Sequence, residues 1–145
     1  MRFGILASMA LVLALTASAS KAGPIEDRQE LMKANGQSAK VLGEMAQGKS
    51  PFDAAVVKEN GDALAARFEK ARSLFVPGTE QGPPETYAKP EVFTDAAGFG
   101  AALDQAIQAS QAVAAVTDQA QLGAAMGDLG GACKNCHDKY RRPKD

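Results

Sequence analysis

The sequence predicts an all-α protein, an antiparallel four-helix bundle. Three observations carry this. Ala, Gln, Lys and Glu dominate, with little sustained alternation of β-branched residues. Four stretches repeat apolar residues at three- and four-residue spacing, each with recognisable ends. They are joined by two short connections and one long one, as in an antiparallel bundle.

The first stretch runs from about Pro24 to Gln47. Pro24 suits a first helical position, Glu26 and Asp27 suit the first turn, and Gly48 can end the helix. Ile25, Met32, Ala39 and Leu42 share a face. The second opens at Ser50-Pro51-Phe52-Asp53, with Ser50 as cap and Pro51 at the first position. Val57, Gly61, Leu64, Phe68, Ala71 and Phe75 follow as its stripe. Between Val76 and Pro90 stand four prolines and two glycines, which make a long connection.

The third helix is expected from Thr94 or Asp95, with Phe99, Leu103, Ile107, Ser110 and Ala114 inward. Thr117-Asp118 reads as a break and a new cap. The fourth carries Leu122, Met126, Leu129, Cys133, Cys136 and Tyr140 on one side and stops before Pro143. Met45 and Met126 read as packing residues. Many inward positions are small, so the core has room for a flat cofactor.

Ahead of these helices, Arg2 precedes an apolar run from Ile5 to Leu15, broken only by Ser8 and followed by Ala17-Ser18-Ala19. The run is short of the roughly 20 residues that span a bilayer. It reads as a cleaved secretory signal over residues 1–22, leaving 23–145 as one domain soluble after processing. Cleavage after Ala19 is the alternative to cleavage after Ala22. The domain's net charge is −3, since residues 1–22 hold Arg2 and Lys21 and no acid. No basic stripe points to nucleic acid.

The chemistry lies in Cys133-Lys134-Asn135-Cys136-His137, a C-x-x-C-H haem-attachment motif. Residues three and four apart share a helix face, so both thiols and the imidazole emerge together. Two thiols can add across the vinyl groups of one porphyrin, and the adjacent imidazole can reach its iron. His137 is the only histidine in the sequence. A zinc site would want a fourth ligand, and a thioredoxin-type dithiol would want a βαβ context. Two buried structural cysteines would leave the adjacent histidine unexplained. Cysteines only three apart also do not make a disulfide framework. The reading is one covalently attached haem c, with export and covalent haem agreeing on a periplasmic location.

Several runs resemble the class II c-type cytochromes, the cytochrome c′ group and its low-spin relatives. They are Arg28-Gln29-Glu30-Leu31-Met32-Lys33, Ser50-Pro51-Phe52-Asp53-Ala54-Ala55, Pro77-Gly78-Thr79-Glu80, Lys89 to Asp95, and the terminal CKNCHDKYR. The resemblance implies thioether links at Cys133 and Cys136 and a proximal ligand at His137. It places Arg141 beside the imidazole and Arg28 against a haem propionate. At Met32 it leaves two readings open. A methionine there binds the iron in six-coordinate relatives, and an apolar residue there crowds an open iron in five-coordinate ones.

Phe68 and Phe75 are expected to pack on the haem. Arg72 departs from the large apolar residue common at its position and would reach the haem edge or solvent. The function expected is one-electron transfer with transient redox partner proteins, and not enzymatic. Binding of small gases such as nitric oxide or carbon monoxide is the alternative. Val41, Val56 or Leu74 could form an exposed stripe for a homodimer.

Overall fold

A computed structural model describes residues 23–143, so the expected signal segment lies outside the described residues. The chain forms α1 (Pro24–Ala46), α2 (Ala54–Ala71), α3 (Glu91–Thr94), α4 (Ala96–Ala114) and α5 (Gln119–Tyr140). The four long helices are the expected bundle. The short α3 follows the long connection, just before α4. No helix among the described residues is long and apolar enough to cross a membrane.

Acidic side chains start three of the helices. Asp118 accepts from the Gln121 N–H at 3.1 Å, as expected, and Asp95 from that of Gly98 at 3.0 Å. The start of α2 corrects the sequence reading. Asp53, not Ser50, is the cap, and one of its carboxylate oxygens accepts from Ala55 N–H at 2.8 Å and Val56 N–H at 3.1 Å. One acid thus satisfies two of the orphan donors of the first turn, leaving Ser50 and Pro51 in the preceding connection.

At its far end α2 tightens into a 3₁₀ turn, Arg72–Leu74. A 3₁₀ turn advances further per residue than an α-helix and swings Leu74 inward. Leu74 is buried rather than part of an exposed stripe, and Val56 is half-buried against the core. Only Val41 of the three is exposed. Arg72 takes the second of its two expected courses and lies at the surface, its side chain 33% exposed. It lies across α4, paired with Glu69 at 3.1 Å and with Asp104.

The helices form a ring in which α1 packs on α2, α2 on α4, α4 on α5 and α5 on α1. Contacts between ends fix the antiparallel sense. Arg72, at the end of α2, meets Asp104 early in α4, while Gly61 meets Ala114 at the end of α4. Gln119 at the start of α5 donates to the Met45 carbonyl at the end of α1, at 3.1 Å. Leu42, Val57, Leu64, Val113, Leu122 and Leu129 are fully buried. Each such side chain contributes about 1.5–3 kcal/mol. On α4 the buried residues are Phe99, Leu103, Ala106, Ser110 and Val113. Ile107 and Ala114 therefore flank the inward face instead of lying on it. Buried Ser110 remains satisfied by donating to the Ala106 carbonyl at 2.7 Å.

Gly61 lets α2 approach the backbone of α4 closely. A Cβ there would stand 2.6 Å from the backbone nitrogen of Ala114, whereas one on Gly127 would meet nothing within 4 Å. Gly61→Ala should lower the urea-unfolding free energy by about 1–3 kcal/mol. Gly127→Ala should raise it by about 0.5–1 kcal/mol, through helix propensity alone.

The Asp95 cap also ties down the end of α5. Its other oxygen accepts from Lys139 Nζ at 2.7 Å and from the Tyr140 hydroxyl at 2.8 Å. The Lys139 bond, then the Tyr140 bond, then the Gly98 amide lower its pKa from 3.8 to about 2. A carboxyl lowered on folding adds stability that is complete above its unfolded value and is lost as pH falls through the folded one. Between pH 3.8 and about 2 the wild type should therefore lose stability more steeply than Asp95→Asn, which keeps the cap. Denaturant midpoints measured across that window check this.

Candidate functional site

The last two turns of α5 carry Cys133, Cys136, His137 and Tyr140 at spacings that place them on one side of the helix. They face a cavity of about 700 Å³. That volume falls among cofactor clefts, which run to about 300–1,000 Å³. From α1 come Arg28 and Met32, from α2 Leu64 and Phe68, and from α4 Phe99 and Leu103. Phe75 and the segment Thr86–Ala88 supply the remaining side. All eight residues singled out in the sequence line this one space: Arg28, Met32, Phe68, Phe75, Cys133, Cys136, His137 and Arg141.

Both cysteines are free and half-buried. Burial raises the Cys133 thiol, and burial together with the neighbouring Cys133 pushes Cys136 up to about 11. His137 has one flank on the cavity and another toward solvent. Partial burial lowers its pKa first, and the Arg141 guanidinium lowers it further against a smaller opposing effect of Asp138. A neutral imidazole keeps a lone pair for a metal.

The donor set is therefore two protonated thiols, one imidazole and one thioether around a wide, largely apolar space. Among the described residues no group of three or more His, Cys, Asp or Glu side chains is placed to hold a bare metal ion. A flat macrocycle that brings its own equatorial ligands fits these residues, and an isolated zinc ion does not.

Arg28 closes one side. It is 3% exposed, and its terminal nitrogens donate to four acceptors. Nη1 reaches the Leu74 carbonyl at 3.3 Å and Thr79 Oγ1 at 2.9 Å, and Nη2 the Thr79 carbonyl at 2.7 Å and Thr86 Oγ1 at 2.8 Å. Its guanidinium also lies 4.9 Å from the centre of the Phe75 ring. Burial lowers the Arg28 pKa, and the Glu80 charge partly offsets this. Arg28 thus holds the connection after α2 over the start of α1, whatever charge it also presents to the cavity.

The other end of that connection is clasped to α5. Ala88 and Arg141 form an antiparallel bridge, with Lys89 N–H donating to the Tyr140 carbonyl at 2.9 Å and Arg142 N–H to the Tyr87 carbonyl at 2.8 Å. Phe75, Phe99 and Tyr140 run in edge-to-face contact, with centroids 4.7 and 5.2 Å apart.

Sequence reasoning assigned Leu64, Phe99, Leu103, Leu129 and Tyr140 to the core stripes and not to the site. Their spacing from Phe68 and Cys136 was the available signal. Nothing local marked Thr86 or Ala88, which arrive through the clasp. Asn35, a buried polar residue on the cavity side of α1, was also missed.

Comparison with known proteins agrees with this site. A family model described as Cytochrome C′ matches residues 23–141. The chain is 47% identical over 100 residues to cytochrome c′ of Rubrivivax gelatinosus, covering 67% of this chain and 77% of that protein. It is 35% identical over 127 residues to cytochrome c-556 of Agrobacterium tumefaciens, covering 85% of this chain and all of that one. The structure of cytochrome c′ from Rhodopseudomonas palustris superposes with a TM-score of 0.79 at 30% identity, covering 86% of this chain and 100% of that chain.

Removing the Arg28 side chain would take a charged donor from two carbonyls and two hydroxyls, leaving Thr79 Oγ1 only its bond to the Val76 carbonyl and Thr86 Oγ1 only its bond from the Ala88 N–H. Arg28→Ala should therefore cost at least about 2 kcal/mol of stability. Limited proteolysis should then cut first within residues 76–90, while the wild type resists under the same conditions.

Proposed function

The chain belongs to the cytochrome c′ family, the class II c-type cytochromes, and on that premise we propose that it is an exported one-electron carrier whose iron is held by His137 and Met32. Proteins of this family carry one covalently attached haem c, and this chain is a monohaem c-type cytochrome. Bound haem supplies an iron centre that accepts and returns a single electron.

Cys133 and Cys136 anchor the group. Each of the two sulfurs would hold the haem edge as a thioether in place of its S–H. His137 provides the imidazole from the same helix. Met32 provides a thioether from α1. Arg28 and Arg141 place positive charge at the rim, where the propionates of a haem need compensation. Leu64, Phe68 and Phe99 keep water off the faces of the ring.

One observation carries the carrier reading. Met32 lines the same cavity as His137, from a different helix. Met/His ligation raises the potential relative to other axial sets, and a filled sixth position leaves no open site for gases. Relatives named cytochrome c′ range from 33 to 47% identity and those named cytochrome c-556 from 31 to 35%, so both kinds stand among the chain's kin and the higher identities are to cytochrome c′.

Residues 1–22 fit a signal removed on export, with 23–145 the working domain in the periplasm. Redox partners would dock transiently. A homodimer through α1 has some support. Cytochrome c′ with ligand-controlled dimer dissociation is a structural neighbour at 29% identity, and Val41 stands exposed on α1.

The purified ferric protein should show the long-wavelength sulfur-to-iron band and bind no carbon monoxide when reduced. Met32→Ala should lose the band and gain carbon monoxide binding. A wild type that is high-spin and binds carbon monoxide readily would replace the carrier reading with the gas-binding one.

A further inference from the structure

On α1, Asn35 follows Met32 by three residues and is 6% exposed. Its Nδ2 points to Met32 Sδ at 4.0 Å, the outer reach of a bond to a sulfur acceptor. Its Oδ1 accepts from Arg67 Nη1, on α2, at 3.2 Å. The same Nη1 also donates to Ser38 Oγ at 3.2 Å and lies 3.4 Å from the Ala34 carbonyl. Three acceptors on α1, the Ala34 carbonyl, Asn35 Oδ1 and Ser38 Oγ, therefore share one nitrogen of Arg67, and the Asn35 amide links that nitrogen to the Met32 sulfur.

Chemistry decides which way the amide faces. Arg67 is only a donor, so the Asn35 oxygen must turn to it. The NH₂ group is then the end left for the sulfur. A thioether is a weak acceptor with two lone pairs. One N–H engaging one lone pair orients the other and draws electron density from the sulfur. A buried amide is costly unless it is satisfied, and here it is satisfied by these partners.

We infer that Asn35, fixed by Arg67, is a positioning residue for Met32, orienting its sulfur as an iron ligand and tuning its donor strength. This rests on the proposed Met32 ligation. Partners one step removed from a metal typically change its affinity about 10–100-fold when mutated. The inference differs from simple core packing in one respect: it requires the N–H itself, not the volume of the side chain.

Asn35→Asp separates the two. The carboxylate keeps the bond to Arg67 but has no hydrogen for the sulfur. Asn35→Leu removes both bonds at similar volume and adds no charge, so it controls for the new anion. Arg67→Lys keeps a donor to the Asn35 oxygen and should behave as wild type. The assay is the holoprotein's sulfur-to-iron band together with displacement of the sixth ligand by added imidazole.

In both Asn35 variants the band should weaken or shift, and imidazole should bind about 10–100-fold more tightly than to wild type. Loss of the inference would be a wild-type band, with unchanged position and unchanged imidazole affinity, in folded Asn35→Asp and Asn35→Leu. Absence of the band from the wild type itself would instead overturn the underlying ligation. If Asn35→Leu does not fold, Asn35→Asp alone decides, since its bond to Arg67 is retained.

Discussion

A buried guanidinium organises this molecule. Arg28 sits at 3% exposure near the start of α1, where it must be surrounded by acceptors. Two carbonyls and two hydroxyls from the segment between Leu74 and Thr86 supply them. That requirement brings a proline-rich connection back over the bundle. The same segment then delivers Ala88 to Arg141, beside the attachment helix. The space between α1, α2, α4 and α5 is thereby walled on a side that helices alone would leave open. Phe75, under the guanidinium and against Phe99, joins the polar anchor to the aromatic lining.

The inward face of α1 follows from the same economy of polar groups. Its buried residues are Ile25, Arg28, Leu31, Asn35, Ser38, Leu42 and Met45. Three of the seven are polar, and each polar group has a partner on another element or on α1 itself. Met32 and Ala39, on the apolar stripe, are only half-buried because they border the cavity. The helix therefore gives its sealed side partly to hydrogen bonds and its apolar side to a cofactor.

Much of this was readable beforehand. Asp118 as a cap, the stripe from Leu122 to Tyr140 and the C-x-x-C-H spacing are local signals, and local signals survive folding. The kinship of the runs around Arg28 and Cys133 brought Arg28, Met32 and Arg141 to the site before any coordinates. What escaped depended on distant partners. Ser50 and Asp53 both suit a cap, and only the backbone's course after Gly48 selects Asp53. Leu74 is buried because the end of α2 tightens, a change of phase that a uniform helical wheel does not contain. Asn35 was overlooked because polar residues are read outward by default, and its partner Arg67 lies on another helix.

The packing of the ring is uneven, and this has a mechanical consequence. α2 and α4 share the most extensive interface, drawn together where Gly61 admits the backbone at Ala114, and α4 also packs broadly on α5. α1 makes the narrower contacts on both of its sides and relies on Arg28, Arg67 and Gln119 for its attachment. α1 is thus the most lightly held of the four long helices. Any rocking of α1 would carry Met32 and Asn35 together, while Cys133 and Cys136 stay with α5 and the frame it shares with α4.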